Sequence, residues 1–502
     1  MNNPLRRIKR LANNRGSILL ISYLVIALLV GFGAAFLMLS FHESRVAERQ
    51  QRLVKALYIA EAGIERALYD LKLDFVNDNT SPSWSDTDIN GMAIGPDTVN
   101  FYAVPYASTS MNGGSYTVEF KNVGGSGESI WVKSTGTLGD VTRTIQVYLV
   151  VRDISPWTNA IFGGAGAAGG MVNGNVDIRG SVHILGEGLT SSDFAIDLGG
   201  TAELVGNNYT GLDSALAAKV PPLPTTVFNG EVVSTLNSEL RVKRGIVGLS
   251  GSATVGEANV AGNSTKETVD GSYVTDGFGG SQGTTNVHSD NGWSNSYDLG
   301  DELSFPSLSD PHPSNPLQTV QQFFQSGALV LTTELSTISS SSSFDYTDGT
   351  NSISMDGAGN LTVTGQVYVD GDNNVLFTGG KNNPITYSGA GTLLVTGNVA
   401  INTTVVTSGS NSFPTNILGI MTPKDISFDS AGIDAMGVFY AENQITAAKQ
   451  TDIMGTFVSN LFNMGTNVPS IFQVPDVADH LPPGMINPDP VWLLKTVSWQ
   501  EI

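Results

Sequence analysis

An uncharged apolar run from Ile18 to Phe41 limits what this chain can become more than any other feature. As a helix its 24 residues would rise roughly 36 Å, enough to cross a hydrocarbon core about 30 Å thick. Ser22 and Ser40 can return their hydroxyls to helical carbonyls, and Gly31 and Gly33 suit close packing against other helices. Arg6, Arg7, Lys9, Arg10 and Arg15 precede the run, and no basic cluster follows it before Arg45. That asymmetry predicts a cytoplasmic N-terminus, a single crossing and an exported remainder.

A secretory signal peptide has a shorter apolar core, about 7–15 residues, and a small-residue cleavage site behind it. Here the run passes into a charged amphipathic stretch in which Val46, Leu53, Leu57, Ala60, Ile64, Leu68 and Leu71 recur at helical spacing. The helix is therefore predicted to continue to about Asp74, and one so long needs a partner along much of its length.

The segment Arg15-Gly16-Ser17-Ile18-Leu19-Leu20, the apolar helix, and Ala60-Glu61-Ala62-Gly63-Ile64-Glu65 together resemble the N-terminus of PilX-like minor pilins of type IV pilus systems. Ser134-Thr135-Gly136-Thr137 and Thr142-Arg143-Thr144-Ile145 resemble the end of the first strand-rich region of those proteins, so the likeness covers roughly residues 1–155. It implies a prepilin leader cut between Gly16 and Ser17 by a prepilin peptidase, methylation, and an assembly helix that joins other pilin or pseudopilin subunits. Leu53, Leu57, Ala60, Glu61, Ala62, Gly63 and Ile64 would belong to that helix. Most major pilins carry glutamate at the fifth position after the cut, and here Ile21 stands there. The departure points to a minor or tip component rather than a repeating shaft. A pseudopilin of a type II secretion system and an uncleaved envelope anchor remain as alternatives.

The remainder carries no cysteine in 502 residues, so its fold needs no disulfide. A formal charge of −21 argues against a nucleic-acid groove; the resemblance implies the inner membrane, other pilin or pseudopilin subunits and an external surface as partners. Residues 1–16 read as the leader, 17–75 as the long helix and 76–155 as a small pilin-like β domain, helix and domain together making an α+β module. In that module strands begin near Gly114, Ser129 and Arg143 and pack as an antiparallel sheet on the helix.

From 156 the texture changes to Gly, Thr, Ser, Asn and Val. Val172-Asn173-Gly174-Asn175-Val176, Val363-Thr364-Gly365-Gln366-Val367 and Val395-Thr396-Gly397-Asn398-Val399 repeat one phrase. Short apolar segments between Gly or Asn turns suit an irregular parallel β-solenoid over 156–260 and 356–475, with a β-sandwich as the alternative. Residues 261–355 read as polar linker and loops with a short helix near 317–326, and Ser339–Ser343 as a flexible connection. Residues 476–502 read as a proline-containing tail, with Val491–Leu494 free to pack on the body.

The search for chemistry predicts no enzyme and no cofactor. His42, His183, His288, His312 and His480 are scattered, with no metal-ligand spacing, no phosphate loop and no nucleophile elbow. Gly163-Gly164 and Gly169-Gly170 read as flexible turns. Asp370, Asp372 and Asn374 begin like a calcium loop, but glycine is missing at position six and Lys381 stands at position twelve.

Overall fold

A computed structural model describes residues 14–77, 88–89, 92–93, 99–106, 109–123, 129–167, 171–228, 230–292, 304–379, 383–447, 449–465, 469–488 and 491–502. The chain divides into two compact units, one of residues 1–152 with 492–502, the other Asp153–Val491.

In the first unit a single helix spans Asn14–Asn77. Its segment from Ile18 is long and apolar enough to cross a membrane, and the side chains from Ile18 to Phe41 are exposed. Ser22 donates its hydroxyl to the carbonyl of Ile18 at 2.8 Å, which satisfies the polar atom inside the helix itself. Further along, Ala56, Ile59, Ala60, Gly63, Ile64, Ala67 and Leu71 form the buried stripe. Ala60, Ile64 and Leu71 belong to the stripe expected from the sequence, whereas the expected Leu53, Leu57 and Leu68 do not join its buried part. Those leucines are only half-buried, because the helix approaches its sheet on small residues.

That sheet runs in the order Tyr102–Ala103, Gly114–Asn122, Ser129–Leu138, Val141–Ile154 and Val491–Glu501, with Ser110–Met111 paired to the second strand. Alternation fixes its inner face: Val118, Phe120, Ile130, Val132, Ile145, Val147 and Leu149 are buried beneath the helix. The final strand corrects the expected tail. Residues 491–501 are strand and join this sheet, with the Ile502 N–H on the Thr144 carbonyl at 3.0 Å and Arg143 paired to Glu501 at 2.7 Å. The whole of the second unit is thus inserted, in sequence, between two neighbouring strands of the first.

The second unit is mostly β and its main ladders are parallel. Following register partners, one column passes through Leu329, Val367, Leu393, Ile420, Phe439, Phe457, Ile161, Val182 and Leu240. Another passes through Ile385, Val405, Ala435, Ile453, Ile471, Ile178, Leu204 and Val255. Nearly all of these side chains are buried, in one hydrophobic core. The order in space is not the order in sequence. Strand Ile161–Ala167 pairs with Thr451–Asn463, so residues 161–274 continue the ladders that 329–472 begin.

The polar region between them is more ordered than its composition suggests. Gly271–Val274 and Phe278–Gly279 are strands, and Ser343–Thr347 forms an antiparallel hairpin with Ser352–Asp356. The helix Val320–Gly327 starts with a capping box between Thr319 and Gln322. The serine run is a tight turn in which Ser342 N–H meets the Ser339 carbonyl at 2.8 Å. Gly163 and Gly164 lie inside a buried strand rather than a turn. A Cβ on Gly164 would come within 2.6 Å of Asn460 Oδ1, so the neighbouring strand leaves room only for hydrogen. Gly169-Gly170 lies outside the described residues. The repeated phrases are not equivalent rungs: 395–399 crosses a corner, while 363–367 lies inside the strand Asn360–Val369, bent at Gly365 with φ +72.

The inserted unit is closed where its chain begins and ends. Trp157 is buried and donates Nε1–H to the Ile486 carbonyl at 2.8 Å. Replacing Trp157 with Phe should cost about 1 kcal/mol for the hydrogen bond, whereas Ala should cost about 3–5 kcal/mol through the cavity. Urea unfolding of the two variants checks both size and order, and equal losses would contradict the separate contribution of the cavity.

Candidate functional site

The segments behind the minor-pilin resemblance meet at one contact. Ala60-Glu61-Ala62-Gly63-Ile64 lies on the helix, with Ala60, Gly63 and Ile64 buried and Glu61 and Ala62 half-buried. Ser134-Thr135-Gly136-Thr137 lies on the central strand opposite. A Cβ on Gly136 would strike the Ala60 nitrogen, 2.5 Å away, and also the Ala56 carbonyl oxygen. A Cβ on Gly63 would strike the Ser134 hydroxyl. Two glycines therefore let the helix and strand backbones approach closely, which a side chain on either would prevent. Thr142-Arg143-Thr144-Ile145 completes the group: Thr135 pairs with Thr144 across the sheet, and their hydroxyls are 3.0 Å apart.

The other expected site residues lie elsewhere. Gly16 and Ser17 fall within the helix, as does Arg15, whereas Arg6, Arg7, Lys9 and Arg10 lie outside the described residues. Ile21 is 60% exposed on the apolar segment, with no carboxylate in its place. Because Gly136 is framed by main-chain atoms that cannot move aside, Gly136→Val should destabilise the first unit by about 1–3 kcal/mol, the range for overpacking. Thermal unfolding measures this, and an unchanged midpoint would show that the contact is looser than its geometry.

Oxygens of the calcium-like loop accept hydrogen bonds from the backbone. Asp370 Oδ1 accepts the Gly371 N–H at 2.8 Å within the turn, and Asn374 Oδ1 accepts the Asn398 N–H at 2.8 Å from the neighbouring segment. Among the described residues no group of three histidine, aspartate or glutamate side chains could hold a metal ion. Asn374 instead opens a corner ladder: Asn398 Oδ1 accepts the Asp425 N–H at 3.2 Å, and Asn443 donates to Asp425 Oδ1 at 2.6 Å.

Stacking also aligns carboxylates, which sequence spacing concealed. Asp434 is the register partner of Asp452, Asp452 of Ser470, Ser470 of Asp177, and Asp177 of Glu203. Arg179 is buried among this group, 2.7 Å from Asp177, 3.1 Å from Glu203 and 2.9 Å from Glu257. Among the described residues Asp434 has no such cation. Burial first, then Asp452 and Asp213, push its carboxyl up to about 6. Burial also raises Asp177 and Asp452, although Arg179 opposes it at the former. His183 shifts the other way, down to about 3, through burial and then Arg241 and Lys243.

The signs of these shifts oppose each other. Between about pH 4 and pH 6 the folded chain holds a proton on Asp434 that the unfolded chain has released, so this contribution to stability falls as pH rises through the window. Between about pH 3 and pH 6.5 the unfolded chain protonates His183 while the folded chain does not, so that contribution rises with pH. Asp434→Asn isolates the first effect: its stability relative to the parent chain should grow between about pH 4.5 and pH 7. Urea midpoints across this range test it, and a constant difference would contradict the assignment.

A cavity of about 500 Å³ opens elsewhere in the second unit, among the loop 304–314, the helix Val320–Gly327 and residues 484–488. His312 and Phe323 stack there, with ring centroids 3.6 Å apart and planes at 17°.

No family model matches the chain, and no curated protein matches it. Among solved structures the chain is similar to the competence-associated pilin ComZ from Thermus thermophilus, at 17% identity and a TM-score of 0.49. That alignment covers 90% of this chain and 97% of the other.

Proposed function

We propose that this chain is a minor or tip-associated subunit of a type IV pilus-like system, presenting a large inserted body outside the inner membrane. The observation that carries the reading is the contact between the Ala60–Glu65 and Ser134–Thr137 segments. The resemblance rests on these residues, and they pack against each other at Gly63 and Gly136. The exposed apolar helix supplies the assembly element, since lipid or neighbouring helices must cover side chains such as Phe36, 70% exposed. A prepilin peptidase cuts between Gly16 and Ser17, the new N-terminus is methylated, and other pilin subunits receive the helix. Ile21 sets this subunit apart from a repeating shaft, because it offers no carboxylate to a neighbouring amine.

The inserted body is an irregular parallel β-solenoid in this reading. In-register apolar columns from Leu329 to Leu240 support it, and parallel pairing distinguishes it from the antiparallel sheets of a sandwich. The assignment of the body to adhesion or assembly follows from its exported position.

Intact-mass measurement of the protein from its native membrane tests the core of the proposal. A mature chain starting at Ser17 is expected, and Gly16→Val should retain the leader. A native chain that keeps Met1 to Gly16 would make this an uncleaved envelope anchor instead.

A further inference from the structure

The cavity beside the helix Val320–Gly327 has a lining suited to one kind of guest. Its volume of about 500 Å³ lies within the usual range for ligand pockets, about 300–1,000 Å³. His312 and Phe323, both in the lining, stack as an aromatic slab. His312 Nδ1 accepts the Ser314 N–H at 3.1 Å, so in the neutral ring the proton sits on Nε2, available as a donor. Asp310 uses one carboxylate oxygen to accept the Ser307 N–H at 2.8 Å, leaving the other as an acceptor. The backbone N–H of Gln366 is taken by Asn351, but its carboxamide has no protein partner among the described residues. Gly484, at φ +81, keeps the wall thin: a Cβ there would lie 2.6 Å from the Phe324 ring and 2.7 Å from Gln366 Nε2.

We propose that this cavity binds a neutral oligosaccharide. A sugar ring has an apolar C–H face for the aromatic slab and a rim of hydroxyls that both donate and accept. Gln366 can meet adjacent hydroxyls with its oxygen and nitrogen together, while Asp310 accepts and His312 donates. Among the described residues the lining holds no lysine or arginine, so a phosphate, sulfate or acidic sugar would face Asp310 without a compensating cation. A wholly apolar guest would strip water from these polar groups without replacing their hydrogen bonds. The inference deepens the surface-contact reading and can fail separately from it. A chain cut at Ser17 that binds no sugar overturns only this inference, and an uncut chain that binds one overturns only the pilus assignment.

The test uses the full chain in lipid nanodiscs, titrated calorimetrically with cellobiose, lactose, maltotriose and diacetylchitobiose. At least one should give saturable heat, and Gln366→Ala and His312→Ala should each weaken its affinity about tenfold. Hydrogen exchange on the parent protein supplies a readout independent of how the variants fold: the bound sugar should protect residues 304–314 and 484–488. Absence of saturable heat from all four sugars would overturn the proposal. So would protection confined to other segments, or undiminished affinity in a folded double variant.

Discussion

Parallel in-register pairing is the constraint from which the inserted unit follows. Each strand satisfies the backbone groups of the one before it and leaves its own outer edge to be satisfied by the next. Register then aligns side chains, so Ile385, Val405, Ala435 and Ile453 build one continuous buried column from residues far apart in sequence. Because pairing depends on the exposed edge and not on chain order, Ile161 can follow Phe457 in the stack. The chain thereby enters and leaves the unit near one place, where the buried Trp157 reaches the Ile486 carbonyl.

The same alignment also brings like charges together. Asp434 and Asp452 lie on neighbouring strands because their rungs match at the apolar positions beside them, Ala435 and Ile453. The apolar column determines the register and the carboxylates tolerate it, one by holding its proton to higher pH and others by gathering round Arg179. Between strands the alignment is favourable, since Asn374 and Asn398 each accept a backbone N–H from the next segment in the stack.

The first unit depends on a different device, the absence of side chains. Gly63 and Gly136 allow a helix and a strand to meet nearly backbone to backbone, and Ala56, Ala60 and Ala67 extend that close face. Leu53 and Leu57 fit the helical period equally well, but they are too large for the closest approach and remain half-buried. Hydrophobic periodicity located the helix; small-residue packing selected which side of it meets the sheet.

By itself the sequence determined the long helix, through an apolar run that only a helix can carry across lipid, and the strands whose side chains alternate, such as Val118, Phe120, Ile130 and Val132. It also marked Gly63 and Gly136 as parts of one resemblance, without showing that they touch. Tertiary structure alone decided strand partners: that residues 491–501 complete a sheet begun before residue 150, that Ile161 stacks beyond Phe457, and that His312 and Gln366 share a cavity. The physical reason is that backbone hydrogen bonds are the same for every residue except proline. Pairing leaves no local signature, and the choice among partners is made by which distant apolar columns close without a gap.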